Sequence, residues 1–156
     1  MWTICREVTP VKVKFTGLGE PTGKGRPRFT RNRPYVKTYT PDATVSYENL
    51  IKMEYRRQCR DFKFEDSDQL DVRITAYYGI PKSKSKKAQK LMEEHILRPL
   101  KKPDADNVIK VVLDSLNKIA YHDDTQVVDL QIRRFYSRDP RLVVTIQEAK
   151  APPIHG

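Results

Sequence analysis

Residues 104–147 read DADNVIKVVLDSLNKIAYHDDTQVVDLQIRRFYSRDPRLVVTIQ, and their apolar period changes partway along from that of a helix to that of a strand. Val108, Ile109, Val112, Leu116 and Ile119 recur at helical spacing, which lines them along one face of a helix from Asp104 to Lys118. From Gln126 to Tyr136 and from Leu142 to Gln147 the apolar residues alternate instead, and Ser137-Arg138-Asp139-Pro140 between them reads as a turn. The pattern predicts a helix followed by a β-hairpin, and hence helices packed on a sheet.

Upstream, Val11, Val13 and Phe15 alternate with Lys12, Lys14 and Thr16, a half-buried strand closed by Gly17. Pro41 and Asp42 open a helix whose inner face is Tyr47, Leu50, Ile51, Tyr55, Cys59 and Phe62, with Lys52, Arg56, Arg57 and Arg60 on the other. Leu70 to Tyr78 alternates again and stops at Gly79-Ile80-Pro81, while PKSKSKKAQK from Pro81 predicts a mobile loop leading into a short helix. The resulting order, β-α-β-(α)-α-β-β, is that of an α+β fold, a two-layer domain with helices packed on a mixed sheet. A single domain is expected over residues 1–150, with 151–156 a frayed tail.

At 156 residues the chain is large enough for one real core. Apolar residues are 38%, below the usual ~45–50%, yet eight Tyr, five Phe and one Trp supply core material and argue against disorder. No apolar run approaches the roughly 20 residues of a membrane span, and the opening MWTICREVTP lacks a secretory apolar stretch, so a soluble cytoplasmic protein is expected. Cys5 and Cys59 are too few and too far apart for a disulfide framework or a C-x-x-C metal site.

The net charge of +10 calls for a polyanionic partner, nucleic acid first. Lys24, Arg26, Arg28, Arg31, Arg33 and Lys37 form a segment without acids, broken by Pro27 and Pro34, which reads as a basic loop. Between residues 104 and 129 the balance inverts: Asp104, Asp106, Asp114, Asp123, Asp124 and Asp129 face only Lys110 and Lys118. Asp104 or Asp106 as a helix cap is the ordinary explanation for one aspartate, worth ~0.5–2 kcal/mol. Asp106, Lys110 and Asp114 share a polar stripe, which could equally be a solvated face with a salt bridge. Should packing gather Asp104, Asp106 and Asp124, three carboxylates would repel unless a cation such as Mg²⁺ or Mn²⁺ sat between them. Phosphodiester hydrolysis would follow, with Lys110 neutralising phosphate charge or orienting a water.

The run KPDADNVIKVVLDSLNKIAYHDDTQVVDL, residues 102–130, resembles the signature of RusA-type Holliday junction resolvases, small endonucleases of bacteria and their phages. GKGRPRFTR at residues 23–31, the YTPDATVSYE segment and the PKSKSKK loop resemble their counterparts in that family, so the likeness covers most of the chain. It implies a homodimer, dependent on Mg²⁺ (or Mn²⁺) and on no organic cofactor, that resolves branched DNA, the four-way junction, by paired symmetric nicks. The family's essential aspartates fall on Asp104, Asp106 and Asp124, its functional lysine on Lys110, and Asp123 is the adjacent acid, as ligand or supporting group. Lys118 departs from the family, where glycine is expected, at a position that touches no ligand.

With that resemblance, Lys24, Arg26, Arg28 and Arg31 become candidate contacts to the DNA backbone, with the glycines of G-K-G allowing close approach to phosphates. Lys82, Lys84, Lys86 and Lys87 are read as a mobile phosphate-contacting flap. Phe29, Tyr35 and Tyr39 are candidate wedges at a branch point, although packing is the commoner role for such residues. Two other readings remain: a non-catalytic nucleic-acid-binding protein whose aspartates only cap and solubilise, and a nuclease acting on other branched DNA.

Overall fold

A computed structural model describes residues 11–25, 28–32, 35–39 and 42–152. In chain order the elements are β1 (Lys12–Leu18), β2 (Arg28–Asn32), β3 (Tyr35–Tyr39), α1 (Asp42–Cys59), β4 (Leu70–Gly79), α2 (Lys86–Glu93), α3 (Ala105–Leu116), a 3-10 turn (Asp124–Gln126), β5 (Val127–Ser137) and β6 (Arg141–Glu148). β1, β6, β4 and β5 form a mixed sheet in that spatial order, with β4 parallel to β5 and the other pairs antiparallel. β2 and β3 form a separate two-stranded ribbon. The α+β, two-layer expectation holds.

Alternation along each strand decides which side is buried. Phe15, Val72, Ile74, Ala76, Val144 and Ile146 point to the core. There they share one apolar cluster with Tyr47, Ile51 and Tyr55 of α1 and Val108, Val111 and Val112 of α3. Cys59 packs against the edge of this cluster. Each helix is stopped by a left-handed residue that is not glycine: Arg60, His95 and Lys118, with φ of 57°, 60° and 64°. Among the described residues no helix is long and apolar enough to cross a membrane.

Two sequence expectations are corrected. The predicted hairpin of the last two strands does not form, because β4 lies between β5 and β6 and pairs with both. The 137–140 turn instead carries the chain across the end of β4, where Pro140 Cγ would lie 3.3 Å from a Cβ on Gly79. Periodicity reports which residues alternate and is blind to which strand sits next to which. The supposed basic loop holds β2 and β3, whose Phe29, Thr30, Tyr35, Val36 and Thr38 are strand-favouring residues that the charges and prolines obscure. Smaller shifts follow the same logic: Gly17 lies inside β1 and the chain turns at Gly19 (φ 103°), while α1 ends at Cys59, short of Phe62.

Candidate active site

α3 begins where two side chains grip the carbonyl before it. Tyr78 Oη donates to Pro103 O at 2.7 Å, and Arg134 Nη2 donates to the same oxygen at 3.0 Å. Arg134 also donates to Lys101 O, reaches Tyr78 Oη at 3.3 Å from Nε, and lies 5.1 Å from the centre of the Tyr78 ring. Hydrogen bonds to a charged donor contribute about 1.5–3 kcal/mol each, so the residue preceding Asp104 is firmly fixed. Burial, partly offset by Arg134, pushes the Tyr78 hydroxyl above its ordinary pKa and keeps it a donor at neutral pH.

Asp104 is the N-cap of α3, yet its side chain makes no hydrogen bond to the helix amides. Asn107 Nδ2 donates to Asp104 Oδ1 at 2.6 Å instead. Asp106, in the first turn, meets Lys110 Nζ at 3.7 Å, and both side chains are more than half exposed. Capping therefore does not account for either carboxylate. Both stand beside the positive end of a helix, the position in a fold that best accepts a phosphate.

The other two aspartates lie elsewhere. Tyr121 is fully buried and donates from Oη to Leu113 O at 2.7 Å, tying the loop after α3 to that helix's C-terminal end. Burial raises the Tyr121 pKa, and the carboxylates of Asp124, Asp114 and Asp123 add to it. Asp114 follows Leu113 directly, and Asp123 and Asp124 follow Tyr121 by two and three residues, which places them towards that end. At ~1.5 Å per residue this is about 15 Å along α3 from Asp104. Asp123 behaves as a cap: its Oδ1 accepts from Thr125 N at 3.1 Å, and Gln126 Oε1 accepts from Asp123 N at 3.1 Å. The Thr125 N–H, and after it the neighbouring Asp124 side chain, hold the Asp123 carboxyl below its usual range, and Asp123 in turn pushes Asp124 up. Within one chain the structure thus brings Asp104, Asp106 and Lys110 together and holds Asp123 with Asp124 at the opposite end of α3. Among the described residues no three Asp, Glu, His or Cys side chains converge on a point that a metal ion would occupy.

Lys24 is drawn into the same helix. Its Nζ pairs with Asp114 Oδ2 and its N donates to Asn107 O at 3.2 Å. Gly23 is needed for that approach, because a Cβ there would sit 2.6 Å from Pro103 Cβ and 3.0 Å from Asn107 Cβ. The glycine thus serves packing against α3, where the sequence reading assigned it to phosphate approach. Arg26 lies outside the described residues, and Arg28 and Arg31 are on β2 with their side chains outside them. Lys84 sits in a turn closed onto Pro81 O, while Lys86 and Lys87 belong to the first turn of α2, capped by Ser85, rather than to a loop.

The sequence reading missed Arg134 and Tyr78. A signal was present: Arg134 shares the parity of Ile132 and Tyr136, so a charged residue occupies a core-facing position of β5 and needs a polar partner. Lys118, where the likeness called for glycine, follows the C-cap of α3 with φ 64°, the conformation that favours glycine.

Residues 19–147 match the family described as Endodeoxyribonuclease RusA. The chain is also 37% identical over 141 residues to an uncharacterized protein, YqaN, of Bacillus subtilis strain 168, covering 89% of this chain and 98% of that relative.

Proposed function

The chain belongs to the RusA endodeoxyribonuclease family, and from that premise we propose that it is a Mg²⁺-dependent enzyme that resolves four-way DNA junctions by paired, symmetric nicks. One observation carries the reading. Asp104 and Asp106 crowd the start of α3 while neither caps it, beside a Pro103 carbonyl that Tyr78 and Arg134 hold in place.

One chain offers its carboxylates in pairs. Mg²⁺ is commonly held by one or two carboxylates, with waters and substrate phosphate oxygens completing its shell. Asp104 and Asp106 fit that donor set, with Mn²⁺ an acceptable substitute. When bound there, such an ion lowers the pKa of a water and offsets the charge that builds on the phosphate.

The chain's own residues do the rest. The free amides at the start of α3 and Lys110, one turn on, attract the scissile phosphate and neutralise its charge. Asn107 orients Asp104, and Arg134 with Tyr78 fixes the backbone on which both aspartates stand. Asp124 is the third acid of this reading, with Asp123 supporting it. Because these two lie at the other end of α3, a site using both pairs would draw them from two copies of the chain. A homodimer also presents two sites at a fixed separation, which favours a branched substrate over a linear duplex. Lys24, Arg26, Arg28, Arg31, Lys84, Lys86 and Lys87 are proposed contacts to the DNA backbone.

The test is cleavage of a labelled mobile four-way junction beside a linear duplex of the same sequence, with Mg²⁺ or with EDTA. Symmetric nicks on the junction alone, abolished by EDTA, are expected. Equal cutting of both substrates would remove the junction selectivity, and cutting in EDTA would remove the metal. Tight binding without cutting in any divalent metal would leave a nucleic-acid-binding protein.

A further inference from the structure

Among the described residues α1 and α3 pack on one side of the sheet, and the other side carries only the end of α2, where His95 and Arg98 lie against Phe135. On it Lys14, Arg73, Arg133 and Arg141 line a shallow groove of about 520 Å³, with no carboxylate in the lining among the described residues. We propose that this open face is a second DNA surface, which holds the phosphodiester backbone of a duplex arm that is not being cut. The proposal rests on the nucleic-acid reading above and names a surface on the layer opposite the aspartates.

Strand register fixes how the cations are spread. Lys14 and Arg73 share one cross-strand row through Thr145, two strands apart, hence about 10 Å. Arg133 pairs with Thr75, two residues further along β4 and one strand over. Arg141 faces Tyr77 one turn of the pleat beyond. The patch spans three strand spacings by four residues, on the order of 14 by 13 Å, a little more than the ~12 Å width of the B-DNA major groove.

Side-chain chemistry selects the partner. Between the cations stand Thr16, Thr75, Thr145 and Gln131, hydroxyl and amide groups suited to phosphate oxygens. Its apolar lining is limited to Val143, the Tyr77 ring under Arg141 and the buried Ile74, less than the apolar centre of a protein interface. The aromatic rings are already covered: Arg141 lies 3.8 Å from the centre of the Tyr77 ring, and Arg98 lies 4.4 Å from that of Phe135. Among the described residues of this face, bases of a single strand therefore find no free ring to stack on, which favours a duplex backbone. The acids of this face lie at its far end, where Asp71 accepts from Arg73 Nε at 3.3 Å and Gln147 Nε2 at 3.1 Å, near Asp129.

The consequence is for substrate choice. With one arm on the sheet face, a strand of another arm can lie at the helix layer, and only branched DNA offers both.

The test is junction binding in EDTA, read as fluorescence anisotropy against salt, for wild type and Lys14→Gln/Arg133→Gln. Arg73 is left in place because Asp71 relies on it. Binding at least tenfold weaker near 0.1 M salt is expected, with the slope of log K against log salt shallower by about 2. Because no cleavage is read, failure of the nuclease reading leaves this result interpretable. An unchanged affinity and slope would overturn the proposal. So would a change of oligomeric state on size exclusion with DNA affinity intact, which would make this face an interface between copies. Lys14→Glu/Arg133→Glu supplies a second variant, for which a larger loss is expected.

Discussion

The two ends of α3 carry acidic pairs that look alike as sequence and are used differently by the fold. At the C-terminal end Asp123 accepts from Thr125 N and closes a capping box with Gln126, so its charge is a structural part of the turn. At the N-terminal end Asp104 occupies the cap position without bonding the helix, and Asp106 reaches only the exposed Lys110. An aspartate at a helix start is explained by capping only when its oxygens meet the amides. Where they do not, the clustered negative charge is left for a partner outside the chain.

The comparison can be broken or sharpened by substitution. The largest effect is expected from Asp124→Asn against Asp123→Asn. Asparagine caps as well as aspartate, so Asp123→Asn should keep the fold and much of the cleavage rate. Asp124→Asn should lose at least about a hundredfold, since several kcal/mol of charge stabilisation are at stake. Equal losses would make the two acids one functional unit.

Arg134→Met comes next. It frees the Pro103 carbonyl and should cost roughly 10–100-fold in cleavage, as loss of supporting contacts around a metal site does. Reduced affinity for Mg²⁺, read from the metal dependence of cleavage, would separate this positioning role from a merely structural one.

Stability should then reverse the order of the two pairs. Asp123→Ala is expected to lower the melting temperature, and Asp104→Ala to lower it clearly less, both read in EDTA. A larger loss at Asp104 would return that residue to the role of a cap. The smallest effect belongs to Lys118→Gly, which should stabilise by up to ~1 kcal/mol by relieving a left-handed lysine.

Much of this molecule is legible in the chain because its helices and strands are strongly periodic. The apolar stripe of α3 and the alternation of β1 and β4 identify the two layers and their inner faces. Adjacency is not written in a local period, and so β4 between β5 and β6 was not foreseen. In the 24–37 segment, two prolines and six cations outweighed the aromatic and β-branched residues that form β2 and β3. The motif acids are visible by type, but their grouping depends on where Tyr121 anchors the loop after α3. Arg134 went unread because a basic residue in a strand is ordinarily solvated, and only its parity betrays it.

The central claim, that the acids at the start of α3 do chemistry rather than hold the helix, is tested most directly by Asp106→Asn, assayed for four-way junction cleavage, junction binding and melting together. The account predicts no product with Mg²⁺, junction affinity equal to or tighter than wild type, and a melting temperature within about 2 °C of it, less than the shift of a 1 kcal/mol loss. Cleavage near the wild-type rate, or loss of folding together with binding, would contradict it.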